Sequence, residues 1–149
     1  MPAALTARFD ALAPAEAITL RTLTPLALRD NRTMRGDLHD ARPLITSIRH
    51  RAARLARDFA PAELAPLALP AAPLVTLADD TRPLRYRREG RAGRYTPIEA
   101  ITGAACFDRP DPDALATLIL GEALCAGRWT AFGAGHYRLE ASAVRRAPG

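Results

Sequence analysis

Apolar and polar positions change their period several times along this chain, and each change predicts an element. From Asp40 to Phe59 the apolar positions Leu44, Ile45, Ile48, Ala52, Leu55, Ala56 and Phe59 fall on one helical arc, about 120° wide at about 100° per residue. The opposite arc carries Thr46, Arg49, His50, Ala53, Arg54 and Arg57. The segment therefore reads as an amphipathic helix, with Asp40 as N-cap and Pro43 in the first turn. A second helix is announced by Asp111-Pro112-Asp113, which supplies a capping acceptor, a proline at the first helical position and an acid in the first turn. Leu115, Leu118, Ile119 and Cys125 form its apolar face. Glu122 projects to the same side, so it needs either an arginine partner or a role anchoring a loop.

A period of two marks the strands. Ala17 to Leu28 opens with Ile18 and Leu20 alternating against Thr19 and Arg21, and predicts a first strand. Leu74 to Leu77 predicts a short second one, followed by a turn at Asp79-Asp80. Leu84, Tyr86 and Arg88 then alternate with Arg85 and Arg87, Glu89 to Gly93 makes a turn, and Arg94 to Phe107 returns as the other arm of a hairpin. Gly103 within that arm marks a bulge or a close backbone contact. His136 to Glu140 predicts a closing strand. Between these lie a polar, arginine-bearing loop (Arg29 to Asp40) and a proline-rich connector (Ala60 to Pro73). Met1 to Glu16, with Leu5, Phe9 and Leu12 at helical spacing and Pro14 as a stop, reads equally as a short helix, a linker or the remnant of something upstream. The order strand, helix, strand, strand, helix, strand predicts an α+β, ferredoxin-like (split βαβ) fold, an antiparallel sheet with two helices on one face. The expected division is a tail or linker over 1–16, one domain over 17–141 and a basic tail over 142–149.

Composition narrows the partner. The chain has 149 residues, enough for one domain with a core, and its formal charge is +5 with a pI of about 10.2. All 21 cations are arginine, which a GC-rich coding bias alone explains. The excess charge favours an anionic partner, nucleic acid before a membrane surface. Cys106 and Cys125 are far apart in apolar surroundings, and three scattered histidines add no ligand cluster, so no metal or other cofactor is expected. No apolar run approaches the roughly 20 residues of a membrane span, and the N-terminus lacks a signal-like pattern, which makes the cytoplasm the default location.

Two stretches carry candidate chemistry. Six arginines (Arg82, Arg85, Arg87, Arg88, Arg91 and Arg94) are interleaved with Tyr86 and Tyr95 on the hairpin. Cations with stacking rings on a β-ribbon suit RNA, while a charged edge strand that discourages aggregation is the plainer alternative. The second stretch is Leu124 to Tyr137, LCAGRWTAFGAGHY, in which Gly127, Gly133 and Gly135 accompany Arg128, Trp129, Phe132, His136 and Tyr137. Such a loop brings backbone N–H groups, a cation and flat rings together, a combination suited to phosphates and bases. Its Gly133-Ala134-Gly135 follows a helix rather than a strand, which excludes a dinucleotide fingerprint. His136 beside Arg128 is a candidate for proton transfer, although a histidine next to a glycine loop more often packs or hydrogen-bonds. His50 on the outer helix face, near Arg54 and Arg57, reads equally as a merely solvated side chain, and His39 in a loop has no evident partner.

The glycine loop LGEALCAGRWTAFGAGHYRLE (Leu120 to Glu140) resembles the C-terminal glycine-rich loop of the CRISPR-associated endoribonucleases that process precursor crRNA, members of the RAMP superfamily. TLRTLTPLALRDN (Thr19 to Asn31) and RYTPIEAITGAACF (Arg94 to Phe107) resemble that family's opening strand and its "RYS…GG" strand region, in the same order. The resemblance covers about Ile18 to Glu140. It implies a ferredoxin-like domain that binds CRISPR repeat RNA in antiviral defence, with Gly127, Arg128, Gly133, Gly135 and Tyr137 matching the loop and Arg94 and Tyr95 the strand. Arg85, Arg87, Arg88 and Arg91 would grip the RNA stem or flank. The family usually has two such domains in tandem, and this chain matches the second. The family's catalytic histidine lies in the first, so the resemblance implies RNA binding with cleavage supplied by a missing N-terminal domain, or association with other CRISPR-associated proteins. A non-catalytic assembly subunit or truncated product, its glycine loop packed on a partner protein, is the alternative. Trp129 departs from the family, which tends to a small residue after the loop's cation; it either crowds a phosphate cradle or supplies a stacking ring.

Overall fold

The computed structural model describes residues 2–59, 70 and 72–144. The connector expected over Ala60 to Pro73 and the tail arginines Arg145 and Arg146 fall largely or wholly outside the described residues.

The N-terminal segment left open between helix and linker forms α1 (Ala3–Leu12). The first strand, β1, is shorter than the alternation predicts, Ala17–Thr22 rather than Ala17 to Leu28. Beyond Thr22 the chain leaves its neighbours in the sheet and takes new ones. Leu26 bridges to Ile101 and Ala27 to Arg128, and Leu26, Ala27 and Leu28 are buried. The polar loop that follows contains a minimal hairpin, β2 (Arg29–Asp30) and β3 (Thr33–Met34). Helix α2 (Arg42–Phe59) starts where Asp40 accepts from the Arg42 backbone N–H at 3.0 Å. Its predicted apolar arc is buried only in its first half, at Leu44, Ile45 and Ile48; Phe59, expected in the core, is exposed.

The second strand sits slightly later than predicted, β4 (Thr76–Asp79), and runs through a kink at Asp80-Thr81 into β5 (Arg82–Glu89). A single 3-10 turn at Arg91–Gly93 leads to β6 (Tyr95–Thr102), which passes Gly103 into β7 (Ala104–Asp108). The return arm read as one strand is thus two, and Gly103 marks the joint. A Cβ there would lie 2.5 Å from the Asp80 carbonyl oxygen, so only glycine lets the two arms cross this closely. Helix α3 (Pro112–Leu124) has the expected cap, with Asp111 accepting from Ala114 N–H at 2.8 Å. β8 (Tyr137–Ser142) closes the domain.

The core sheet has the order β4-β7-β1-β8 with every pairing antiparallel, the ferredoxin-like arrangement. Ile18, Leu20, Ala105, Phe107 and Leu139 alternate onto one face and pack with Leu44, Ile48, Leu115, Leu118 and Ile119 from the helices. Helix α3 touches both α1 and α2, so α1 adds a third helix to the two expected. Leu12 is buried, and Leu5 and Phe9 pack against the same core. The Glu122 question is answered from this side: Arg8 donates to both carboxylate oxygens at 2.9 Å and also to the Leu139 carbonyl, while Leu139 N–H donates to Glu122 at 2.7 Å. The pairing with Glu122 raises the Arg8 pKa.

Two strands with a continuation have a further consequence for the site. β5 and β6 are the outward extension of β4 and β7, paired in register from Arg82 with Thr102 to Glu89 with Tyr95. The arginine hairpin is therefore not a separate module. It projects from the core sheet as its longest arm.

Candidate nucleic-acid interface

The glycine loop joins α3 to β8 and is wrapped around the Thr24–Ala27 segment. Gly127 N–H donates to Ser47 Oγ at 2.8 Å, Arg128 N–H to Ala27 O at 2.9 Å, Gly135 N–H to Pro25 O at 2.9 Å and His136 N–H to Thr24 Oγ1 at 3.0 Å. Gly133 N–H turns back to Thr130 O at 3.1 Å. Gly127 (φ +78) and Gly135 (φ +86) are required for this path, since a Cβ would come within 2.3 Å of the Ala27 carbonyl and 2.0 Å of the Ala126 carbonyl. The expected cradle of loop amides is thus corrected. Those N–H groups hold the loop to the domain, because a buried backbone donor must find an acceptor and the nearest ones belong to the chain itself. Tyr137 is corrected likewise: it is 2% exposed, and its hydroxyl donates to Leu118 O at 2.6 Å. Burial, reinforced by Glu122 and Cys125, pushes its pKa well above the ordinary value, so it is a neutral core residue.

What the loop does present is side chains. Arg128 is exposed at the end of an open groove of about 870 Å³ that runs along α2. Arg42, His50, Arg51 and Arg54 come from α2, Arg29 from β2, and Asp30 is the one acid among the lining residues. Two of these arginines are engaged. Asp40 holds Arg42 at 2.7 Å, which keeps the Asp40 carboxyl below its ordinary pKa. Arg51 donates from Nε to Leu124 O and from a terminal nitrogen to Thr130 Oγ1, each at 2.7 Å, clasping the C-terminal end of α3 and the loop together. Arg29, Arg54 and Arg128 make no ion pair with a described residue.

The hairpin arginines separate into three groups. Arg85 pairs with Glu99 across the ribbon, and Arg87 stands beside it without a described ion-pair partner. Arg88 lays its guanidinium 3.2 Å from the Phe132 ring centroid, docking the hairpin onto the glycine loop. Arg91, Arg94 and Tyr95 stay at the exposed tip and do not line the groove. His136 is exposed, with both ring nitrogens 3.4 Å from Cys125 Sγ, and does not line the groove that Arg128 borders. The histidine on the groove wall is His50. Among the described residues no cluster of three or more metal-type ligands exists, and no helix is long and apolar enough to cross a membrane.

Comparison with known proteins fits this geometry. No protein-family model and no curated protein sequence matches the chain. Solved structures do. A Cas6 product complex superposes with a TM-score of 0.56 at 20% identity, over 91% of this chain and 56% of that one. Thermus thermophilus Cas6 gives 0.54 at 21% identity, over 89% of this chain and 57% of that one. The chain has a Cas6-type fold. A partial Cas6-RT-Cas1–Cas2 complex is a further match, with a TM-score of 0.53 at 16% identity over 97% of this chain and 26% of that one. This chain spans a little over half the length of the two Cas6 proteins it matches.

Sequence reasoning singled out Arg128 but missed Arg29, Arg51 and Ser47 as its neighbours. The signal was present in α2, where Ser47, His50, Arg51 and Arg54 recur at spacings of three and four and hence share one helix face. Arg29 carried no such signal; only the turn after Leu28 brings it to the same groove.

Proposed function

We propose that this chain binds CRISPR repeat RNA as the C-terminal domain of a Cas6-type, crRNA-processing endoribonuclease, with phosphates held in the groove between α2 and the glycine loop. The observation that carries the proposal is the convergence of Arg29, Arg54 and Arg128, none paired with a described carboxylate, on one groove of a Cas6-type fold. Guanidinium groups held without carboxylate partners attract a polyanion and match phosphate oxygens in pairs. The hairpin contributes Arg85 and Arg87 beside the groove and Arg91 and Arg94 farther out, so RNA contacts extend from the groove along the ribbon.

Cleavage of RNA without a metal needs a base for the 2′-hydroxyl, an acid for the leaving oxygen and cations for the phosphorane. The groove supplies the cations and one imidazole, His50. His136, against Cys125, is not on its wall. One imidazole does not make the pair of base and acid, so on this reading the rest of the catalytic set comes from another domain, and the partners of this chain are the repeat RNA and the protein segment that carries that set. Binding of repeat RNA and of an unrelated hairpin should be compared at matched salt. Repeat RNA should bind more tightly, and Arg128→Ala should weaken both; equal affinity for the two RNAs would sink the repeat-specific claim. Metal-free incubation with labelled repeat RNA should leave it intact, and cleavage abolished by His136→Ala alone would return that residue to the mechanism.

A further inference from the structure

A second cavity, of about 620 Å³, opens between the hairpin and the glycine loop, and its wall differs in character from the groove. Its floor is apolar and flat-sided. Ile98 is buried in a small cluster with Ala27 and Ala100, against which Met34, Tyr86 and Trp129 pack, half-buried. Its rim is charged, with Arg85, Arg87 and Arg128 as cations and Glu99 as the one acid among the lining residues. Arg128 lines both this cavity and the basic groove. The two spaces therefore meet at a single guanidinium, which also lies 5.5 Å from the centroid of the Trp129 ring.

That junction has the layout of one nucleotide. A phosphate held at Arg128 would face the groove, and a base attached to it, one sugar away, would reach the side where the wall carries Tyr86 and Trp129. We propose that this cavity receives a single unpaired nucleobase of the bound RNA, stacked on Trp129, with the Glu99 carboxylate accepting from an amino group on the base edge. The inference rests on the RNA-binding reading above and deepens it. Unpaired bases splayed onto aromatic faces are how proteins read RNA sequence, since the edges of a duplex are poorly accessible. A carboxylate accepts from the amino group of cytosine but finds only a carbonyl at the same place in uracil. Arg85 orients Glu99 through their ion pair, and both residues line the cavity. The open face of the core sheet offers no comparable site: Thr19, Arg21, Ala78, Ala104, Cys106, Arg138 and Glu140 present no ring there.

Trp129 is the only tryptophan, so its fluorescence reports this cavity directly. The test uses the intact chain with short single-stranded oligocytidylate, oligouridylate and a backbone-matched abasic oligomer, at matched salt. The expected result is quenching of Trp129 by oligocytidylate, with affinity about tenfold or more above that for the abasic oligomer, the range that stacking of one base gives. Oligouridylate should fall between them, and Glu99→Gln should narrow its gap to oligocytidylate. Trp129→Phe should retain the base-dependent gain and Trp129→Leu should lose it. If all three oligomers bind equally and with the same salt dependence, the base site is overturned while the arginine groove stands. Fluorescence unmoved by RNA but changed by an apolar peptide overturns it in favour of a protein ligand. No binding of any RNA at low salt overturns the RNA-binding reading and this inference together.

Discussion

Arg51 and Arg54 lie one turn apart on α2 and border the same groove, yet they do different work. Arg51 is bound at both ends of its guanidinium, to the last carbonyl of α3 and to Thr130. Arg54 is exposed and has no described ion-pair partner. The same contrast separates Arg8, locked to Glu122 and Leu139, from Arg128 at the groove mouth. Among the described residues, arginine is thus a structural clasp wherever acceptors crowd it and stays open to a ligand wherever they are withheld. Charge counts cannot tell the two apart; the local supply of carbonyls and carboxylates does.

Gly135→Ala should break the clasped side most severely. A methyl group 2.0 Å from the Ala126 carbonyl, at φ +86, must push the loop off its seat, with a loss of about 3 kcal/mol or more read in a urea titration and RNA affinity falling with it. Glu122→Ala should lower stability by about 2 kcal/mol, because it strands the part-buried Arg8 guanidinium and the Leu139 N–H, while the affinity of the folded protein for RNA stays unchanged. Arg51→Ala should lower stability by about 1 kcal/mol through loss of the two loop hydrogen bonds. Arg54→Ala sharpens the contrast from the other side: stability should stay within about 0.5 kcal/mol, and the slope of log affinity against log salt should fall by about 1. An Arg54 variant as destabilised as the Arg51 variant would erase the distinction.

Asp79 gives the comparison a pH dependence. Its side chain is 1% exposed, and it accepts from Leu38 N–H, from Thr81 N–H and from the Thr81 hydroxyl, with His39 at 3.7 Å. Burial works to raise its pKa, but these hydrogen bonds and His39 together hold it below the ordinary 3.8. The folded state binds the Asp79 proton less readily than the unfolded state does, so the contribution is full above about pH 4 and disappears as pH falls through the folded pKa. Thermal unfolding followed from pH 5 to pH 2.5 should therefore lose less in Asp79→Asn than in the natural protein. Arg54→Ala should leave the slope unchanged.

Much of the fold was legible because its signals are local. Asp111-Pro112-Asp113 starts α3 using acceptors and backbone constraints within four residues, and the six-arginine hairpin turns where Ala92 and Gly93 take positive φ. What the sequence hid depends on partners far along the chain. Arg8 meets Glu122 across 114 residues, and nothing near either one announces the other. β1 stops at Thr22 although its alternation continues, because the next residues pair with Ile101 and Arg128 instead of the core sheet. The glycine loop was found, but its amides are not the open cradle that its glycines suggest. Glycines advertise free amides in a sequence, and only the path past Pro25 and Ala27 reveals that those amides are occupied. Tyr137 was drawn into the site by its neighbours in sequence, while strand alternation sends its side chain into the core.

The joint at Gly103 divides a continuous pair of strands into two stretches with different neighbours. Below it, β7 is flanked on both sides by other strands, and its amides should open only with the core. Above it, β5 and β6 have only each other, apart from the Leu26 bridge at Ile101. Amide exchange followed along the single arm from Tyr95 to Asp108 should therefore step from fast to slow near residue 103. RNA laid along the ribbon would be felt as slowed exchange above the step and almost none below it. One arm of this hairpin thus carries both a gauge of global stability and a gauge of ligand occupancy, on either side of one glycine.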